Sequence, residues 1–173
     1  MYYRRLKGEN LYLSPADIAN EYHTMTKWLN EDRDLIYQND FYRRLLGEDK
    51  TKEMLEKWNA GPYMFSIVRD EDDVFMGHVS LFNIAQHSVT LGIYLGPEYR
   101  AKGYGKEAME LIKKYIFDDL GYCSIHIEVL SYNTRAIKFY ENLGFVICGT
   151  WHQERYAGGK YHDIILMEYL KQK

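Results

Sequence analysis

This chain of 173 residues has few cysteines, few prolines, no long apolar run and only a small surplus of one charge sign. Each shortage excludes something. Cys123 and Cys148 are too few for a disulfide framework and make no Cys-x-x-Cys pair, so they read as reduced thiols in strands of an intracellular, cytoplasmic protein. No stretch approaches the roughly 20 apolar residues of a membrane helix. The basic start "MYYRRLKGEN" has no apolar stretch behind it and does not read as a signal peptide, so no membrane partner is expected. The 22 basic and 25 acidic side chains leave a net charge of −3. A domain that grips nucleic acid by its phosphates is usually basic, so no nucleic-acid partner is expected either. No two histidines have metal-ligand spacing, and no metal is expected. Repeats, low-complexity tracts and linkers are missing, which leaves one continuous domain over residues 1–173.

Apolar residues make up 46% of the chain, enough for a real core. The seventeen tyrosines offer wide contact area with a polar tip, suited to a deep cleft or to the interface of a homodimer. Residues 4–13 read as a first strand. Ser14 and Pro15 read as the cap and first position of a helix reaching about Leu29. A second helix is expected over 51–59. Segments 63–70 and 74–83, joined by an acidic turn, read as a hairpin, and 88–95 as a third adjacent strand with Val89, Leu91, Ile93 and Leu95 on one face. Ala108, Met109, Ile112, Ile116 and Leu120 then recur at helical spacing, and Gly121 stops the helix. A strand at 123–130, a short helix capped by Asn133 and ended by Gly144, and a closing hairpin complete the chain. The expected fold class is α/β (α+β): a mixed, mostly antiparallel central sheet flanked by helices.

The stretch "GPEYRAKGYGKEAMELI" (96–112) spends glycine where a helix start would ordinarily want a capping side chain. Such a start offers unpaired N–H groups and partial positive charge, and glycine lets a phosphate approach them. Arg100, Lys102 and Lys106 add charge to the same turn. A P-loop is excluded, because Arg100 stands where its first glycine belongs and Glu107 replaces its hydroxyl. Gly103, Gly105 and Ala108 match the dinucleotide fingerprint, with Glu128 downstream, but "GPEYRAK" separates them from the strand, and a doubly wound sheet needs more strand–helix repeats.

"RAKGYG" heading an amphipathic helix resembles the acetyl-CoA pyrophosphate loop of the GNAT superfamily of N-acetyltransferases. That loop runs Arg/Gln-x-x-Gly-x-Gly/Ala, matched by Arg100, Gly103 and Gly105. "NTRAIKFYENLGF" is similar to the family's following helix, with Asn133, Tyr140, Gly144 and Phe145 in the recurring places. "ERYAGGKYHD" resembles the last hairpin of the ribosomal-protein N-terminal and spermidine acetyltransferases. The resemblance implies the acyl-CoA N-acyltransferase (GNAT) fold and acetyl-CoA as co-substrate. It implies transfer of the acetyl group to a small-molecule or peptide amine, by direct attack in a ternary complex.

The resemblance also implies roles. Strands 89–95 and 123–130 would splay around the pantetheine arm, with main-chain groups at Ile93, Tyr94 and Leu95 beside the thioester. Arg100, Ala101, Lys102, Gly103, Tyr104, Gly105 and Lys106 would take the phosphates, and Asn133 and Ala136 the pantetheine. Tyr140 would bind there too and protonate the leaving thiolate. Many relatives carry a glutamate where this chain has Thr90, so the base lies elsewhere. Glu128 is taken as the catalytic candidate beside His126, Glu154 and Asp163, and a water chain is an alternative. Glu154, Asp163 and Glu21 are expected to attract a cationic acceptor. The missing acid also motivates a second reading, a CoA-binding regulatory module of weak activity.

Overall fold

The computed structural model describes residues 1–32, 45–61 and 63–171. Their strands form one eight-stranded sheet in the order β1-β2-β3-β4-β5-β6-β8-β7. The strands are β1 (Leu6–Lys7), β2 (Leu11–Pro15), β3 (Met64–Arg69), β4 (Phe75–Phe82), β5 (Ser88–Leu95), β6 (Ser124–Leu130), β7 (Val146–Ala157) and β8 (Lys160–Leu170). The helices are α1 (Ile18–Glu31), α2 (Glu48–Asn59), α3 (Tyr104–Lys114, continued by a π-turn over Tyr115–Asp119) and α4 (Thr134–Asn142). Neighbouring strands pair antiparallel except β5 and β6. One parallel pair is too few for a doubly wound sheet, which removes the dinucleotide alternative.

Helices cover both faces. Val79, Leu81, Val89, Leu91, Ile125 and Ile127 pack with the α3 stripe of Ala108, Met109, Ile112 and Ile116, and with Tyr140 and Leu143 at α4. The expected helical stripe is thus the core, and burying each of its large side chains contributes roughly 1.5–3 kcal/mol. On the other face Met25, Trp28 and Leu29 of α1 pack with Met54 and Leu55 of α2, joined by Phe75 and Tyr94 from the sheet.

The N-terminal reading needs correction. Residues 4–13 are not one strand. β1 and β2 form a hairpin whose turn is closed by Gly8 N–H on the Leu11 carbonyl at 2.8 Å. The turn formers in "KGEN" break the strand. Ser14 and Pro15 do not open α1: both lie in β2, opposite Ser66 and Phe65. A proline satisfies a strand end as well as a helix start, because both places can spare its N–H. Asp17 is the N-cap of α1, without a side-chain cap bond. α2 starts three residues early, at Glu48, where Glu48 and Asp49 complement the positive end of the helix. Cys123 lies one residue ahead of β6, and both cysteines are exposed and free.

Candidate active site

β5 and β6 pair at only three rungs: Ser88 with Ser124, Val89 with Ile125, Thr90 with His126. Beyond them β5 stays bonded to β4 as far as Leu95, and β6 to β8 as far as Leu130. The two strands part, and their facing edges turn main-chain groups toward the gap. A cavity of about 700 Å³ lies at the open end of β5, between the loop that follows it and α4.

β5 leads through a 3₁₀ turn (Pro97–Tyr99) into the loop before α3. Two residues of that loop are left-handed, Ala101 at φ 60° and Gly103 at φ 90°. Gly103 is the N-cap of α3 and brings no side chain to cap it. The first amide to find an intrahelical acceptor is that of Glu107, on the Gly103 carbonyl at 3.1 Å. The amides of Tyr104, Gly105 and Lys106 therefore stand at the mouth of the helix without a turn of their own to bond. Alternating backbone hand followed by free helix amides makes a concave anion site. No ligand is needed to see the fit: the mouth is glycine-lined, positive and open to the cavity.

The cavity wall includes Ile93, Tyr94, Leu95, Arg100, Ala101, Gly103, Gly105, Lys106, Asn133, Ala136 and Tyr140 of the expected set. Lys102, Tyr104 and Glu128 lie outside it. Tyr132, Thr134, Arg135 and Phe139 line it without having been expected. They flank Asn133 and Tyr140 at the start and on the stripe of α4, so adjacency in sequence was the available signal.

Asn133 caps α4, its Oδ1 accepting from Ala136 N–H at 3.1 Å. That leaves its amide nitrogen as the donor for anything in the cavity. Tyr140 is 8% exposed. A phenol keeps its proton throughout the neutral range, and burial pushes this one further above its ordinary value.

Candidate bases fall in different places. Thr90 is 6% exposed on the last shared rung. His126 faces it there, with Ser124 Oγ 3.5 Å from its Nε2. Glu128 is two residues further along β6 and exposed, where the strands have separated. Side-chain alternation puts it on the face opposite Ile127 and Val129, which pack in the cluster that holds Tyr140. Glu154 is exposed on β7. Asp163 is engaged in an irregularity of β7, accepting Gln153 N–H at 2.8 Å with His152 Nδ1 at 3.3 Å, and these bonds lower its pKa. Glu21 was expected to attract a cation and cannot. It is 0% exposed on the buried face of α1, its carboxylate bonded to Ser66 Oγ, to Asp17 N–H at 3.1 Å and to His78 Nε2 at 2.7 Å. Among the described residues no group of three His, Cys, Asp or Glu gathers as a metal site, and no helix is long and apolar enough to cross a membrane.

A sheet opened between one parallel pair, above a helix mouth built for an anion, defines an acyl-CoA transferase architecture. A family model described as an acetyltransferase (GNAT) domain matches residues 10–146, and the chain belongs to that family. It is 29% identical, over 65% of its length, to the SPbeta prophage-derived uncharacterized N-acetyltransferase YokL of Bacillus subtilis (strain 168), and the match spans 62% of that protein. The spermidine N-acetyltransferase of Vibrio cholerae in complex with CoA and spermine shares the fold, with TM-score 0.81 and 22% identity, covering 94% of this chain and 96% of that one. RimL, a ribosomal L7/L12 alpha-N-protein acetyltransferase in complex with coenzyme A, gives TM-score 0.83 and 15% identity over 94% and 95%. The expected fold and superfamily are both met.

Proposed function

We propose that the chain, acting as one domain over residues 1–173, is an acetyl-CoA-dependent N-acetyltransferase. The observation that carries this is the cavity at the end of β5, walled by the loop into α3 and by α4 and open to the amide-rich mouth of α3. Acetyl-CoA supplies an activated acyl group that a free amine can take directly. The loop amides and Lys106 bind the diphosphate. Asn133 donates its amide to the pantetheine arm, since its oxygen is already committed. Main-chain N–H groups near Ile93 to Leu95 polarise the thioester carbonyl.

Two proton movements accompany the transfer of the acetyl group from sulfur to nitrogen. Tyr140, protonated at neutral pH as any phenol is, gives its proton to the departing thiolate. Glu128, directly or through water, takes the proton shed by the amine. The two groups belong to opposite faces of β6, so an acceptor entering on the Glu128 side meets a thioester whose sulfur faces Tyr140. The acceptor is a primary amine, either a small polyamine or a protein N-terminus. The spermine complex and the protein-acetylating relative support those two classes. A cytoplasmic location and a homodimer are parts of the same reading.

The test is thiol release from acetyl-CoA with a panel of polyamines, amino acids, antibiotics and peptides, with products read by mass. Tyr140→Phe should lower kcat by about a hundredfold or more while leaving acetyl-CoA binding in place. Turnover equal to the parent would remove Tyr140 as the acid. Tight acetyl-CoA binding with no turnover on any amine would favour the regulatory-module reading instead.

A further inference from the structure

Arg100 opens the loop that leads to α3, and a basic residue there invites assignment to a phosphate. The bonds of its side chain run the other way. Nε donates to the Leu95 carbonyl at 2.8 Å. One terminal nitrogen donates to Asp32 Oδ1 at 3.3 Å and the other is bonded to Asp32 Oδ2. The guanidinium lies 5.4 Å from the centre of the Tyr94 ring, and the Tyr94 hydroxyl donates to Asp32 Oδ2 at 3.2 Å. Asp32 is 7% exposed and stands at the C-cap of α1. Burial and the negative end of the helix both disfavour a carboxylate there. A planar fork reaching both of its oxygens is the compensation that a lysine could not reproduce.

This node joins three pieces. Asp32 belongs to the end of α1. Tyr94 and Leu95 are the last residues of β5 before the loop, at the open end of the split. Arg100 begins the segment whose amides face the anion site. The geometry points to Arg100 as a positioning residue for acetyl-CoA: through Asp32 and Leu95 it holds the diphosphate loop against the end of β5 and the end of α1. Its side chain is a strap and not a phosphate ligand. The inference rests on the acetyl-CoA reading.

The two roles predict opposite signs at Asp32. If only charge mattered, removing a carboxylate near an anion site would strengthen anion binding. If the strap matters, Asp32→Asn must weaken it. The experiment is calorimetric titration of the full chain with CoA at several salt concentrations, for the parent, Asp32→Asn, Arg100→Lys and Arg100→Gln. Thermal midpoints serve as the folding control. The expected result is affinity reduced on the order of tenfold by Asp32→Asn. Arg100→Lys should be as damaging as Arg100→Gln, and the slope of log affinity against log salt should stay that of the parent. Asp32→Asn binding CoA as tightly as the parent, or more tightly, overturns the strap, and a lowered thermal midpoint alone would then mean a structural bond only. So does Arg100→Lys retaining affinity that Arg100→Gln loses together with part of the salt slope. If Asp32→Asn does not fold, the two Arg100 variants decide the matter. A parent chain that binds no CoA overturns the acetyl-CoA reading itself, and the strap with it.

Discussion

Gly103 and Gly105 lie two positions apart and are glycine for different reasons. Gly103 sits at φ 90°, and a Cβ built there meets nothing within 4 Å, so its constraint is backbone hand alone. Gly103→Ala should cost about 1–2 kcal/mol in urea denaturation, because the left-handed region is strained for any L-residue. Gly105 is already helical, and its Cβ would come to 3.5 Å from Leu95 Cδ1 and from Phe139 Cζ, ordinary packing distances. Gly105→Ala should be neutral or stabilising by up to about 1 kcal/mol. Equal losses at both positions would show that the loop needs smallness and not a left-handed turn. The motif places of Gly103, Asn133 and Tyr140 were legible because each belongs to one continuous stretch with its own helix signals. Glu21 was not. It reads as one more acid on the polar side of α1, and its burial is decided by Ser66 and His78, 45 and 57 residues away. Arg100 was legible as a loop residue, while the direction of its side chain depends on Asp32, 68 residues distant.

Elements were readable wherever a period or a stop was strong. The stripes of α3 and α4, and the strands from β3 to β6, follow from alternation and helical spacing within single segments. The β1–β2 hairpin and the start of α1 were not, because Ser14-Pro15 satisfies a strand end and a helix start alike. The parting of β5 from β6 is a property of register, which no single strand carries. What fixes α1 to the sheet is also invisible locally. Glu21 is its polar anchor, bonded to Ser66 on β3 and to His78 on β4 in a site closed to water. Glu21→Ala removes one partner of a buried polar pair and leaves the imidazole without it. The expected loss is about 3–5 kcal/mol by equilibrium denaturation. A loss below about 1 kcal/mol would mean that apolar packing of Met25, Trp28 and Leu29 holds α1 by itself.

For the molecule as a whole, folding puts tyrosines where a phenolate is disfavoured, and that sets its response to base. Burial raises the pKa of Tyr140, and burial reinforced by the Asp32 charge raises that of Tyr94. In the unfolded chain both ionise near pH 10. Below that pH both states hold the protons and stability does not depend on these groups. Above it the unfolded chain releases protons that the folded chain retains, so stability falls as the pH climbs toward the raised values. Each retained proton costs about 1.4 kcal/mol per pH unit in that window. The thermal midpoint should therefore be level from about pH 7 to 9 and drop steeply above about pH 10. Tyr140→Phe should soften the drop, since a phenyl ring has no proton to withhold. The same variant is expected to be slow at neutral pH, where any phenol still holds its proton and only the loss of the hydroxyl matters. A midpoint curve that Tyr140→Phe leaves unchanged above pH 10 would mean that solvent reaches this hydroxyl and that burial does not raise its pKa.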